Sequence, residues 1–141
     1  MKKGRTSGER YSAKLLFQYR VVVDGKNNVM RTCEERMLVL RATSARGALA
    51  LAKRRGKAAQ FKQRNPAGNP VHFEFVGVLD LLRLGPECEE DEVWYDIKSI
   101  KRPMERAKRL IPPEQKLNAI YWAGANKPLQ RTRSKQRASE R

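Results

Sequence analysis

Histidine and cysteine are scarce in this sequence of 141 residues, which has one histidine, His72, and two cysteines, Cys33 and Cys88. Two cysteines so far apart form neither a disulfide framework nor the paired spacing of a zinc site. A metal site built on the one histidine would need carboxylates or cysteines for its other ligands. We therefore expect no structural disulfide, no bound metal and no cofactor.

Short catalytic motifs and long apolar runs are missing as well. The sequence has no glycine-rich phosphate loop, no Cys-x-x-Cys, no His-x-x-x-His and no Gly-x-Ser-x-Gly, so we expect no catalytic residue and a non-enzymatic protein. No apolar run approaches the ~18 residues of a membrane span. Lys14 and Arg20 interrupt the first hydrophobic segment, which argues against a signal peptide. These features predict a cytoplasmic protein without a membrane partner.

Negative charge is in short supply. The chain has 31 Lys and Arg against 15 Asp and Glu, a formal net charge of +16. Residues 1–10, 11–103 and 104–141 carry net charges of +3, +6 and +7. The two ends hold more than half of the excess, and the middle is basic in its own right. This balance favours a polyanionic partner such as RNA or DNA.

Two strands joined by a hairpin loop are predicted near the N-terminus. Residues 11–23 alternate between apolar and polar, which is typical of a strand with one buried face. Residues 24–28 are Asp-Gly-Lys-Asn-Asn and favour a loop. A second strand is predicted from about residue 29 to residue 42.

A helix is predicted from residue 45 to about residue 63. Thr43 and Ser44 can both cap it, and the segment is rich in Ala, Leu, Lys and Arg, which favour helix. An apolar stripe at three- and four-residue spacings would pack on the sheet. The stripe consists of Ala45, Ala48, Leu49, Ala52 and Ala59. Asn-Pro-Ala-Gly-Asn-Pro at residues 65–70 ends the helix.

Two further strands are predicted after the helix. Residues 71–84 form a third strand, and its apolar second half favours a central position in the sheet. One of its faces would carry Val71, Phe73, Phe75, Gly77, Leu79 and Leu81. An acidic loop follows, and residues 92–100 are predicted to form a fourth strand.

This order of elements predicts an α+β fold: an antiparallel sheet of about four strands in ββαββ order, with one main helix packed on a face. The domain is expected to span residues 10–102, after a disordered basic N-terminus at residues 1–9. Residues 103–123 are expected to form a helical extension with a short C-terminal helix. Residues 124–141 have little to bury and are predicted to form a disordered basic tail.

Four segments carry a family resemblance: YSAKLLF at residues 11–17, EER at 34–36, EFVGVLDL at 74–81 and EVW at 92–94. In these segments the chain resembles a small bacterial family known as a domain of unknown function. The resemblance covers roughly residues 10–98 and leaves out both basic ends. It implies a bacterial origin and a compact domain, and it assigns no catalytic residue.

Basic residues without acidic neighbours mark the predicted helix as the candidate functional element. Arg46, Lys53, Lys57 and Arg64 lie at offsets of seven, four and seven residues, which places them on one side of a helix, opposite the apolar stripe. Like charges at this spacing cost a few tenths of a kcal/mol per pair, and bound phosphates would offset that cost. The predicted nucleic-acid-binding residues of the helix and the tail are Arg46, Lys53, Arg54, Lys57, Lys62, Arg64, Arg131, Arg133, Lys135 and Arg137.

Three functions compete. The first is a small non-enzymatic protein that contacts RNA or DNA backbone. Little sequence specificity is expected, because no base-reading motif accompanies the charges. The other interpretation of the same charges is a helix face that is merely solvated. The second is a protein-interaction module, such as an accessory or immunity-type factor in a bacterial system. The least favoured is a metal-dependent nuclease built on Glu34, Glu74 and Asp80. Glu74 and Asp80 lie roughly 20 Å apart along one strand and cannot share an ion.

Overall fold

A computed structural model describes residues 8–124 of the chain. Its first elements are β1 (Glu9–Val23), β2 (Lys26–Asn27), β3 (Cys33–Ala42), α1 (Ala45–Ala58), β4 (Phe61–Arg64) and β5 (Pro70–Leu84). Then come α2 (Ala107–Leu110), a 3-10 turn (Glu114–Lys116) and α3 (Asn118–Ala123). The chain divides into two compact units, one ending at Asp96 and the other beginning at Ile97.

The predicted α+β class is confirmed: an antiparallel sheet carries one main helix, and a short helix follows near the C-terminus. The predicted disordered ends lie outside the described residues, apart from residues 8, 9 and 124. No helix in the described part of the chain is long and apolar enough to cross a bilayer.

The sheet has the strand order β3-β1-β5-β4, and the short β2 pairs with the end of β1. β5 lies between β1 and β4, which confirms the predicted central position of this strand. Asp24 and Gly25 turn the β1–β2 hairpin with φ angles of 51° and 76°. Glycine adopts such positive angles freely and aspartate tolerates them, so the turn predicted at these two residues is confirmed. Lys26 and Asn27, predicted to lie in the loop, form β2 instead, and the strand predicted from about residue 29 begins at Cys33.

One face of the sheet forms the core, as the alternation in β1 predicts. Alternate residues of β1 are buried on this face: Tyr11, Ala13, Leu15 and Phe17. Phe73 of β5 stacks on Phe17, with ring centroids 4.8 Å apart and planes 9° apart. Phe61 of β4 stacks on the same Phe73 ring at 4.9 Å. This aromatic stack ties three strands together.

Two register shifts interrupt β5 where it pairs with β1. Phe17 lies opposite Phe75, Leu15 opposite Val78, and Ala13 opposite Leu81. The shifts leave Val76 and Leu79 as extra residues, with exposed fractions of 55% and 48%. The prediction that Gly77 and Leu79 share the face of Phe73 was wrong, because each extra residue reverses the alternation.

Helix α1 packs on the core face through small residues. Ser44 caps it, and its hydroxyl accepts a hydrogen bond from the Gly47 amide at 3.0 Å, as the sequence predicts. Ala48, Ala52 and Gly56 are the buried residues of the helix. Their small side chains allow the helix backbone to approach the sheet closely.

The helix ends at Ala58, before the predicted end near residue 63. Residues 61–64 instead form β4, which pairs antiparallel with β5 and places Phe61 opposite Phe73. The Gln60 side chain accepts a hydrogen bond from the Phe75 amide at 2.9 Å and directs the chain toward that strand. Residues 61–64 form a strand and do not extend the helix because Phe61 packs against Phe73, and this aromatic packing outweighs helix propensity.

Residues 92–100 are not a strand, contrary to the prediction. The Arg10 guanidinium binds the carbonyl oxygens of Glu89, Glu90 and Glu92 at 2.9, 3.0 and 3.3 Å. The Lys14 ammonium lies 4.7 Å from the centre of the Trp94 ring. These contacts hold residues 89–94 against a face of the sheet, so they add no strand at an edge.

Candidate nucleic-acid interface

The side of α1 that faces away from the sheet is cationic. With 3.6 residues per turn, Arg46, Lys53, Arg54 and Lys57 fall opposite the buried Ala48, Ala52 and Gly56. All four basic side chains are exposed. We call this set of four residues the helix surface. Arg55 is exposed as well but lies on the other side of the helix, next to Ala48.

Ion pairing distinguishes the helix surface from three arginines of the sheet. The structure has three ion pairs within residues 8–124, and none includes a side chain of α1. The pairs join Arg20 to Glu74, Arg36 to Glu34, and Arg83 to Glu9. These three arginines are thus neutralised by neighbouring carboxylates, whereas Arg10 and Arg64 of the sheet bind backbone carbonyls instead. The helix surface keeps its full positive charge.

The position of the charges on the helix reduces its stability. Arg46 lies in the first turn, where the partial positive charge of the helix dipole disfavours a cation, and this turn has no acidic residue. Lys53 and Lys57 are one turn apart and repel each other. Arg55 and Lys57 in the last turn are favourably placed. Helix stability therefore explains only part of the basic composition.

Lys62 and Arg64 do not continue the helix surface. Both are exposed residues of β4, where Phe61 faces the core, so their side chains alternate toward the opposite face of the sheet. Lys62 lies opposite His72, and Arg64 donates a hydrogen bond to the Gly68 carbonyl at 2.6 Å. The predicted continuous row from Arg46 to Arg64 was therefore wrong. Arg131, Arg133, Lys135 and Arg137 lie outside the described residues.

The carboxylates considered for a nuclease do not meet. Glu34 lies opposite Phe17 on the core face, where Arg36 pairs with it at 2.7 Å. Glu74 lies on the other face, and Arg20 holds it at 2.7 Å. The Arg20 guanidinium and the Gln18 amide lower the pKa of Glu74 to about 2. Across residues 8–124 no group of three or more His, Cys, Asp and Glu side chains is placed to hold a metal ion.

In the unit that ends at Asp96, the densest group of acidic residues lies on the face of the sheet opposite α1. Arg10 and Lys14 alternate with the buried Ala13 and Leu15, so they point away from α1. Arg10 binds the acidic segment at residues 87–92 and Lys14 contacts Trp94 just after it, so this segment lies on the face opposite the helix. Sheet and core thus separate the helix surface from the densest group of carboxylates.

Sequence reasoning missed the roles of Arg10, Lys14 and β4. A signal for β4 was present, because Phe-Lys-Gln-Arg at residues 61–64 alternates and directly precedes a Pro- and Gly-rich turn. The partners of Arg10 lie 79 to 82 residues away in sequence, so no local sequence pattern predicts these contacts.

The fold and the surface define an α+β domain with a cationic helix on one side of an antiparallel sheet. Residues 10–94 match the model of the family described as domain of unknown function (DUF4288). This match covers more than half of the chain, so the protein belongs to that family. It confirms the resemblance drawn from the four sequence segments. No curated protein and no solved structure matches the chain.

Proposed function

We propose that the helix surface binds the phosphate backbone of a nucleic acid, and that the protein is a non-enzymatic binding module. One observation carries this proposal: four exposed cations share one side of a helix and have no ion-pair partner within residues 8–124. A polyanion would supply the missing counter-charge.

The length of the surface suits several phosphates. Arg46 and Lys57 are eleven residues apart, or roughly 16 Å along the helix axis. Successive phosphates of one DNA strand advance by about 3.4 Å along the duplex axis, so the row spans four or five nucleotides. Phosphate contacts position a protein on a nucleic acid without reading the base sequence. Helix α1 has no aromatic residue to stack on bases, and we expect weak sequence preference.

The basic tail is expected to add to this binding. Arg131, Arg133, Lys135 and Arg137 alternate with small or polar residues, and polyelectrolyte attraction needs no fixed geometry. Lys62 and Arg64 are not part of the proposed surface, because they belong to the opposite face of the sheet.

A salt titration of two matched variants tests the proposal. Labelled duplex DNA and single-stranded RNA are titrated with the full chain by fluorescence anisotropy from about 50 mM salt upward. The slope of log affinity against log salt is negative. We expect Lys53→Gln/Lys57→Gln to reduce the magnitude of this slope by about 2 on the duplex, since each lost phosphate contact removes ~0.9.

The matched control is Lys26→Gln/Lys62→Gln, which removes the same charge from two exposed strand residues. It should change the slope far less. Equal changes in both variants would mean that net charge alone drives the binding, and absence of binding at about 50 mM salt would refute the proposal outright.

A further inference from the structure

Strand β3 is an edge of the sheet with one side open. Within the unit that ends at Asp96, β3 pairs with β1 and packs under α1, and no other strand pairs with it. The ten residues run without proline, glycine or a register shift. Proline and bulges are two of the devices that protect an edge from pairing with another chain; of the charged residues on the core face, Glu34 and Arg36 pair with each other.

The hydrogen-bond pattern shows which residues present backbone groups outward. The Tyr19 amide donates to the Thr32 carbonyl at 2.9 Å, so these two form a hydrogen-bonded pair. In an antiparallel ladder such pairs alternate, and the even-numbered residues of β3 therefore bond to β1. The outward N–H and C=O groups belong to five residues: Cys33, Glu35, Met37, Val39 and Arg41.

The same five residues point their side chains away from the core. All five are exposed, and Met37 and Val39 have exposed fractions of 45% and 42%. Glu35 near one end is negative and Arg41 near the other is positive, with the two apolar residues between them. This order, acidic, apolar, apolar, basic, is complementary to its own reverse.

We propose that β3 pairs with β3 of a second copy of this chain, antiparallel about a two-fold axis through Leu38. Glu35 then lies opposite the partner's Arg41, and Met37 lies opposite the partner's Val39. The symmetry repeats both contacts, which gives two ion pairs and two apolar pairs on the exposed face. Opposite charges and apolar pairs at directly facing positions stabilise a sheet.

The backbone groups and the charges together favour this register over the two adjacent registers. A pairing that exchanges the outward backbone groups must place odd-numbered residues opposite odd-numbered residues. The two adjacent registers of this kind place Glu35 opposite the partner's Val39 or the partner's Thr43, and both ion pairs are lost. The axis through Leu38 satisfies the backbone and the charges together.

The resulting dimer has a continuous sheet with both helices on one side. Residues of the same face meet across the axis, so the core faces of the two copies lie on the same side of the sheet. The two helix surfaces would then both be available to one long polyanion. The dimer itself is independent of the proposed nucleic-acid binding, and its test uses nuclease-treated protein.

Charge reversal provides a register-specific test. The molar mass of the full chain is measured by light scattering and sedimentation equilibrium over about three decades of concentration. We expect a dimer for the wild type. Glu35→Arg and Arg41→Glu should each raise the dissociation constant by at least about tenfold, because each places two pairs of like charges opposite one another.

An equimolar mixture of Glu35→Arg and Arg41→Glu should restore the dimer. In the mixed dimer the introduced arginine of one variant faces the introduced glutamate of the other, so every facing pair is again opposite in charge. The matched controls Glu90→Arg and Lys26→Glu change exposed charges elsewhere and should leave the dissociation constant unchanged. Restoration also shows that both single variants fold.

A wild-type chain that stays monomeric throughout would overturn the proposal. So would a dimer that both single variants form as well as the wild type, because another surface would then be responsible. Failure of the mixture to dimerise would reject the register. A protein that dimerises but does not bind nucleic acid would refute the proposed function and leave the dimer standing. A protein that binds nucleic acid as a monomer would refute the dimer and leave the proposed function standing.

Discussion

Gly56 is the residue on which the contact between helix and sheet depends. A Cβ atom at this position would lie 2.5 Å from two carbon atoms of the Phe75 ring, well inside van der Waals contact. Glycine in a helix normally costs up to about 1 kcal/mol relative to alanine. The close approach of the helix to Phe75 explains why glycine is nevertheless suited to this site.

We expect Gly56→Ala to lower the free energy of unfolding by about 1–3 kcal/mol, because the overpacked core outweighs the gain in helix propensity. Urea unfolding followed by circular dichroism measures the change. The double variant Gly56→Ala/Phe75→Leu should recover part of the loss, since the smaller side chain makes room for the methyl group. An unchanged or raised stability of the single variant would show that the helix adjusts freely.

The ion pair between Glu74 and Arg20 makes stability depend on pH. Hydrogen bonds from Arg20 and Gln18 hold the pKa of Glu74 at about 2, below its ordinary value of 4.5. A carboxylate with a lowered pKa in the folded state stabilises the protein above its ordinary pKa. This contribution is lost as the pH falls from about 4.5 toward 2.

We expect Glu74→Gln to lower the free energy of unfolding at pH 7 by on the order of 1 kcal/mol, since solvent screens this partly exposed pair. The difference from wild type should shrink as the pH falls from 4.5 toward 2. Urea unfolding at several pH values measures it. Asp91→Asn, which removes one exposed charge elsewhere, is the control. A difference that does not vary with pH would contradict the assignment.

At the scale of elements, α1 meets two conflicting demands. Its buried side is a row of small residues fitted to the sheet, and its outer side begins with Arg46, a cation that the first turn disfavours. A surface selected only for helix stability would place acidic residues in that turn. The arrangement is understandable if the outer side serves a negatively charged partner.

We expect Arg46→Glu to raise the free energy of unfolding by about 0.3–1 kcal/mol, because it places a negative charge at the positive end of the helix. The same variant should weaken nucleic-acid binding. Arg55→Glu makes an equal charge change in the last turn, where it should lower stability. Urea unfolding compares the two. Opposite signs support the account, and equal signs would contradict it.

The two elements that sequence reasoning misplaced share a cause. Residues 61–64 have basic and polar side chains that suit a helix, and they become a strand because Phe61 reaches Phe73. Residues 92–100 have the β-branched and aromatic residues of a strand, and they remain irregular because Arg10 and Lys14 hold the preceding segment and Trp94. In both cases a distant partner outweighs local preference.

At the scale of the whole molecule, the charges of the first unit are divided between two sides. The helix surface lies on one side of the sheet, and the acidic segment at residues 87–92 lies on the other. The acidic segment repels a polyanion near residues 87–92, although the exposed Lys62 and Arg64 lie on that same face of the sheet. Pairing through β3 would join two such units with their helix surfaces on the same side.

The sequence by itself determined the class of the fold, the buried face of β1, the start of α1 and the central place of β5. These follow from local alternation, capping and composition, which act between neighbouring residues. Only the tertiary structure decided that the helix ends at Ala58, that β5 reverses its alternation twice, and that Lys62 and Arg64 leave the helix surface. Those outcomes depend on contacts between residues far apart in the chain, and the short alternation at residues 61–64 is the only local sign of any of them.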